Sequence, residues 1–411
     1  MKVLWFHSGI GAIGGGFKAM FYTLNALRKQ SVDLSIVCTE ASDVVEVLRH
    51  EGYPVILENA IKKWPTTVMS NPMWTWGGIV DLANLVITWR RSVSAARNII
   101  RNERPDIIHL NMAPLVPAAV AAKMEGVPVV WHIREELNTR KVPLLAALNR
   151  RAIQLLSSAV ISINQENLEQ LGDVRNATVI YDSVPLEDFD PKLDGTSLRK
   201  SIGCSDDTIL VGALNSVSWI KGGLILARAA KICLQANKKI MFLIVGEYDT
   251  PARSWKQKLR RKIAQMLHVP RYVERVMNEI REERLQGLFK LTGPILDVRS
   301  ALAALDILVF PSMTSHSPLP AIEAAAMGKP VVASDWPAVR EIVSHGSSGL
   351  LVPPGNSDAL AEGILTLASD AERRGKMGKM GNRVARERFD VYRNTDQLQS
   401  VYRQVIRLSS A

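Results

Sequence analysis

Cysteine is scarce, long apolar runs are absent, and so are the spacings that bind metals; each absence excludes something. The three cysteines of the 411 residues, Cys38, Cys204 and Cys233, are far apart and odd in number. No C-x-x-C occurs, so neither a disulfide framework nor a cysteine-based zinc site is expected, and reduced buried thiols in a cytosolic protein are the simplest account. The most membrane-like stretch, Trp74 to Trp89, is shorter than the roughly 20 apolar residues of a span, and Asp81 and Asn84 interrupt it. The chain begins directly with an apolar strand signal, Val3 to Phe6, and shows none of the zones of a signal peptide. No short-period repeat or low-complexity tract is visible.

What is present fits a globular protein, with 47% hydrophobic and 22% charged residues. At about 100–200 residues per domain, the length suggests two or three domains. The net charge of +11 is unevenly placed: residues 1–190 hold 19 basic and 19 acidic side chains, whereas residues 252–290 alone hold 11 basic against 4 acidic. Such a patch reads either as a contact for an acidic membrane surface or as a solvated helix face. No nucleic-acid motif accompanies the charge, so no nucleic-acid partner is expected.

Short apolar runs alternate with amphipathic stretches of helical length. The strand candidates are Val3–Phe6, Leu34–Val37, Val55–Leu57, Ile107–Leu110, Val127–Trp131, Val160–Ile163 and Thr178–Ile180. A second series comprises Ile209–Leu214, Ile240–Val245, Phe289–Leu291, Ile307–Phe310, Val331–Ala333 and Leu350–Val352. Continuous apolar strands alternating with helices signal parallel sheets covered on both faces. Between the two series, residues 185–195 carry two prolines, several acids and no periodicity, the composition of a linker. The expected division is therefore 1–190, 191–388, and a helical tail at 389–411.

In open parallel sheets, ligands sit beyond the carboxyl ends of the strands, so the loops there are the ones to examine. After the first strand, residues 7–16 are rich in glycine and lead into a helix, an arrangement that lets backbone N–H groups approach a phosphate. Gly9, Gly11 and Gly14 also fit the dinucleotide fingerprint, with Glu40 at the ribose-binding position, so an NAD-dependent enzyme is a rival reading on this motif alone. His132 and Arg134 follow a strand and suit a cleft ligand, phosphate or carboxylate; a histidine satisfying local backbone is the plainer alternative. Lys221 stands beside Gly222 and Gly223 at a helix entry, where the helix dipole repels a cation unless an anion lies between them. Glu323 lies in the first turns of a short helix stopped by Gly328, placed either to compensate the helix dipole or to accept ribose hydroxyls.

The residues of this last region carry a wider likeness. Residues 322–335 and 339–355, with the glycine loop, Arg104 to Leu110, Ile180 to Pro185, Val211 to Gly222, Phe242 to Glu247, Leu291 to Pro294 and Asp306 to Ser312, resemble the retaining glycosyltransferases of the glycogen-synthase-like group (glycosyl transferases group 1) over nearly the whole length. The resemblance implies a GT-B α/β fold: two Rossmann-like parallel-sheet domains facing a cleft, acceptor domain first and donor domain second, with the final helix crossing back to the first. It sets the dehydrogenase reading aside. It also implies a nucleotide-diphosphate sugar as substrate, with no cofactor and no metal. By the same resemblance His132 contacts the transferred sugar, Lys221 the diphosphate and Glu323 the ribose. Gly15 and Gly16 approach the donor phosphates, Gly246 and Gly293 border the nucleotide, and the Leu319 amide lies near sugar and phosphates.

Two departures stand out. The family pairs two glutamates eight positions apart, and the first, which grips the sugar, falls here on Ser315; its phosphate-binding arginine falls on Ser216. Losing one charge-assisted hydrogen bond costs about 1.5–3 kcal/mol, and Pro318 and Pro320 remove further amide donors. Arg134 and His316 are candidate replacements. The expected function is retaining transfer of a sugar to a lipid-linked or glycan acceptor in surface polysaccharide or glycolipid synthesis, by a cytoplasmic protein peripheral to the membrane. A catalytically silent protein that binds nucleotide or a partner enzyme is the alternative, and the two serines are its support.

Trp64, Trp74, Trp76 and Trp89 near Lys62, Lys63, Arg90 and Arg91 suit a membrane interface or an ordinary core. The basic stretch 253–284 gives a direct test. With each engaged cation contributing about 1 kcal/mol at an acidic surface, the protein should co-sediment with vesicles rich in acidic lipid at low salt and much less at about 0.5 M salt. Replacing Arg253, Lys256, Lys258, Arg260, Arg261 and Lys262 by glutamine should abolish the binding without harming nucleotide affinity. A wild-type protein that ignores such vesicles would make the stretch a solvated face.

Overall fold

Each apolar run becomes a parallel strand in the structure, a computed structural model. It describes residues 1–8, 14–65, 76–135, 143–174, 176–214, 217–236, 239–246, 272–282, 285, 287–293, 295 and 297–410. The chain divides into two units, Met1–Ser183 with Asp390–Ala411, and Val184–Phe389.

In the first unit the strands are β1 (Lys2–His7), β2 (Asp33–Cys38), β3 (Val55–Leu57), β4 (Ile107–Asn111), β5 (Val129–Ile133), β6 (Ala159–Ser162) and β7 (Ala177–Val179). They form one parallel sheet of order β3-β2-β1-β4-β5-β6-β7. Side chains alternate across a strand, so Leu4 and Phe6 enter one core with Ile108, Leu110 and Trp131, while Val3 and Trp5 enter another with Ile36, Val130 and Ile161. Both faces are covered, which is why the strands are predominantly apolar.

The helix Val391–Ser410 belongs to this unit although it follows all of the second one. Leu398, Tyr402 and Val405, at helical spacing, complete the Val3–Trp5 core. The Tyr402 hydroxyl bonds His109 Nδ1 at 2.7 Å, and the His109 ring stacks on Trp5 with centroids 3.5 Å apart. Burial, then Arg134, holds His109 well below the usual histidine range, so a neutral ring shares this hydrogen bond with the tyrosine.

In the second unit β8 (Ile209–Ala213), β9 (Ile240–Val245), β10 (Phe289–Gly293), β11 (Ile307–Phe310), β12 (Val331–Ser334) and β13 (Gly349–Val352) form a parallel sheet of order β10-β9-β8-β11-β12-β13. Val211, Phe242, Ile244, Val309 and Val332 pack on one face against Leu226 and Ala230 of helix Gly223–Gln235 and Leu360 and Ile364 of helix Ser357–Ser369. Helix Ala371–Arg388 lies against helix Leu319–Ala326, and a Cβ on Gly378 would come within 1.9 Å of the Gly328 carbonyl oxygen.

Residues 185–195 are not a free linker. Phe189 is buried, the Val184 amide donates to Phe389 O at 3.0 Å, and a Cβ on Gly195 would meet the Ala304 backbone at 2.3 Å. Asp188 also pairs with Arg299 at 3.6 Å, so the segment is packed against the second unit despite its prolines and acids. Trp64 and Trp89 are half-buried and meet edge-on at 5.7 Å against the first core, the ordinary packing role; Trp74 lies outside the described residues. So does residue 253 through residue 271 of the basic stretch. No helix of the described residues is long and apolar enough to cross a membrane.

Tyr402→Phe removes one hydroxyl and leaves His109 Nδ1 buried and unpaired. The expected cost is about 1–3 kcal/mol, read as a lowered urea midpoint for unfolding of the first unit.

Candidate functional site

Each sheet reverses its strand order once, between β1 and β4 in the first unit and between β8 and β11 in the second. The two loops at such a point diverge and leave a crevice at the carboxyl ends of the strands.

In the second unit the loops after β8 and β11 are fastened together. The Met313 amide donates to Ile220 O at 2.8 Å. Gly222, at φ 71°, lies so close to β11 that a Cβ would stand 1.8 Å from Pro311 O, so both the left-handed backbone and the space require glycine. This contact aims Lys221. Its Nζ is 2.6 Å from His316 Nε2 and 5.5 Å from the Phe310 ring centroid. Burial lowers the Lys221 pKa to about 8. No carboxylate pairs with Lys221 among the described residues. Burial, then Lys221, lowers His316 to about 3, so the ring is neutral near pH 7. Its Nδ1 lies 3.0 Å from Thr314 O; Nδ1–H donates there, and Nε2 accepts from the ammonium group.

Glu323 is buried in helix Leu319–Ala326, where Leu319 is the first residue and its N–H has no carbonyl four residues back within the helix to meet. Ser315 is half-buried in the loop before that helix. Gly293 ends β10 at φ 74° with open space where a side chain would be, and accepts a hydrogen bond from the Gly246 amide at 2.9 Å. Ser216 lies outside the described residues.

In the first unit, parallel register sets His7 beside Asn111 and Asn111 beside His132. Asn111 Nδ2 is 3.2 Å from His7 Nδ1, and Arg134 Nε donates to Asn111 Oδ1 at 2.7 Å. The Arg134 guanidinium also pairs with Asp182 at 2.5 Å, both side chains being 7% exposed. It therefore braces the loop through Asp182 rather than standing free as a phosphate fork. His132 is buried with no partner on either ring nitrogen, and burial, then Arg134 and His109, holds it neutral. A neutral imidazole offers one donor and one acceptor, and buried groups of this kind are rarely left unused. After β4, Met112 holds a φ of 149°, fixed by Trp131 Nε1 donating to Met112 O at 2.9 Å and by the Ala113 amide donating to Glu135 at 3.1 Å. Gly14 precedes helix Gly15–Lys29, which has no acid in its first turn and leaves open space at Gly14 and Gly16. Gly9 and Gly11 lie outside the described residues; Glu40, the ribose candidate of the dehydrogenase reading, pairs with Lys63 at 2.9 Å.

Two family models fit consecutive parts of the chain, a glycosyl transferase 4-like domain at residues 14–178 and glycosyl transferases group 1 at residues 206–370. The chain belongs to the group 1 glycosyltransferases. This transferase is 23% identical over 324 residues to the lipopolysaccharide core biosynthesis mannosyltransferase LpsB of Rhizobium meliloti, covering 74% of this chain and 84% of LpsB. It is 19% identical over 397 residues to an Escherichia coli UDP-Gal:alpha-D-GlcNAc-diphosphoundecaprenol alpha-1,3-galactosyltransferase, covering 92% and 90%. The crystal structure of Anabaena HepE with UDP and glucose superposes with a TM-score of 0.77 at 21% identity, over 97% of this chain and 98% of that one. The fold class is GT-B.

Sequence reasoning missed His7, Asn111, Glu135 and Asp182 of the transferase. A signal existed for two of them: His7 and Asn111 are polar residues at the carboxyl ends of mainly apolar strands, the position where a sheet meets its ligand.

Removing one partner of a buried ion pair strands the other. Arg134→Leu should therefore cost about 3–5 kcal/mol in stability, measured by urea unfolding, while nucleotide affinity of the folded fraction stays within about twofold of wild type. A stable variant with lost nucleotide binding would make Arg134 a ligand instead.

Proposed function

We propose that the protein transfers a sugar, with retention at the anomeric carbon, from a nucleotide-diphosphate donor to a lipid-linked or glycan acceptor in surface polysaccharide or glycolipid synthesis. The observation that carries this reading is Lys221, a half-buried ammonium group at the strand reversal of the second unit with a neutral histidine as its partner. A half-buried cation with that surrounding is stabilised by an anion, and its place within the group 1 region supports the donor diphosphate as that anion.

On this reading Glu323 accepts from the ribose, the open side of Gly293 borders the base, and Gly246, Gly15 and Gly16 line the donor. The Leu319 amide and His132 meet the sugar. The acceptor attacks on the face the diphosphate leaves, and the departing phosphate takes the acceptor's proton. Lys221 and backbone N–H groups then supply positioning and charge stabilisation. Attack through a protein carboxylate is not invoked, since that mechanism needs a second carboxyl group about 5 Å away across the sugar. The two relatives named above act in lipopolysaccharide core synthesis and on a diphosphoundecaprenol, and this supports a lipid-linked acceptor. Helix Trp76–Glu103 supports attachment to an acidic membrane surface: Val86 and Ile87 are 70% and 77% exposed, with Arg90 and Arg91 exposed on the same face one turn later.

Ser315 favours one alternative, a catalytically silent nucleotide-binding protein, because a hydroxyl replaces the carboxylate that would grip the sugar. A thermal-shift panel of UDP-, GDP- and ADP-sugars, followed by a transfer assay on the best binder, separates the two. Stabilisation with turnover is expected; stabilisation without turnover would leave the silent reading. Lys221→Ala should weaken the same donor by about 1.5–3 kcal/mol with the fold intact, and an unchanged affinity would remove the assignment.

A further inference from the structure

The lysine's surroundings are unusual in sequence as well as in space. Neither Leu214 to Gln235, which carries Lys221, nor Ile307 to Pro318, which carries His316, contains an Asp or Glu. The charged groups on the packed elements are Arg228 and Lys231 on helix Gly223–Gln235 and Glu323 on helix Leu319–Ala326. His316 is the group in hydrogen-bond contact with the ammonium. Its own orientation is fixed: Nδ1 lies 3.0 Å from Thr314 O, and the ring tilts against Phe310 with centroids 5.1 Å apart.

We propose that His316 is a positioning residue that accepts one Lys221 N–H bond through Nε2, holding the ammonium group charged and leaving its other N–H bonds for the donor diphosphate. The proposal rests on the reading of Lys221 as the diphosphate ligand. A carboxylate in this place would pair with the lysine and compete with the phosphate for it. A neutral ring gives a directional acceptor without cancelling the charge. Because Nδ1–H is committed to Thr314, the ring presents a lone pair to Lys221 rather than a second proton. His316 thus acts through the lysine, and contact with the sugar is not needed to explain it.

The pH dependence of nucleotide affinity reads this arrangement. With the lysine's pKa lowered to about 8, free wild-type protein carries the charge below that pH. Binding should be level there and should weaken above it by up to about tenfold per unit, because the lysine must take up a proton before it can meet the phosphate. His316→Phe keeps the burial and the packing on Phe310 but removes the acceptor. An acceptor favours the charged form, so the break should move down by about one unit and affinity for UDP at pH 7 should fall about three- to tenfold. His316→Gln restores an acceptor and should return the break toward wild type. Titrations with UDP from about pH 6 to 9, taken as ratios to wild type, cancel the ionisations of the probe itself. A folded His316→Phe protein with an unshifted break would overturn the proposal. Lys221→Ala serves as the control: unchanged UDP affinity there would remove the lysine reading and this proposal with it. Weakened affinity in Lys221→Ala beside an unshifted break in His316→Phe would remove the histidine's role alone.

Discussion

The parallel pairing of β8 with β11 is the junction on which the second unit's chemistry depends. Val211 and Gly212 sit opposite Ile307 and Leu308, and strand order reverses there, so the loops leaving these strands emerge side by side and then diverge. The Ile220–Met313 hydrogen bond and the contact of Gly222 with the Pro311 carbonyl fix their spacing. Only with that spacing fixed does Lys221 reach His316. The charge is partly withdrawn from water, and the depressed lysine pKa is the sign of that desolvation.

The first unit handles polarity at its own reversal differently. There the charged group, Arg134, is neutralised by Asp182 and shared with Asn111, and the groups that remain without partners include the two ring nitrogens of the neutral His132. One sheet thus ends in an available charge and the other in an available hydrogen-bonding ring. A diphosphate needs the first, and a sugar hydroxyl is well served by the second.

Much of this was legible in the sequence. Every strand expected from an apolar run is present within two residues at each end; Phe289–Gly293 gains Thr292 and Gly293 beyond the expected core of three. Strand signals in a buried parallel sheet are strong because both faces demand apolar side chains. Lys221 stood out because a lysine at a helix entry opposes the dipole. His316 was visible as a residue but not in its role, since its bond to Lys221 joins positions 95 apart. Arg134 was legible as a charged residue at a strand end; its pairing with Asp182 was not, because ion pairs 48 residues apart leave no periodic trace. The segment at 185–195 misled for a compositional reason: prolines and acids outnumber the one phenylalanine that is buried.

The helix Val391–Ser410 has a consequence for how the chain is made. Tyr402 fills a gap beside His109 and Trp5, yet 293 residues separate it from that histidine, and the whole of the second unit lies between them. During synthesis the second unit has all its residues before the first has its last helix. The half that begins the chain is therefore the half that finishes folding later, and until then its Val3–Trp5 face lacks the part of its cover that Leu398, Tyr402 and Val405 supply. For that interval the nascent protein exposes an apolar surface that a chaperone can recognise and that misassembly can exploit.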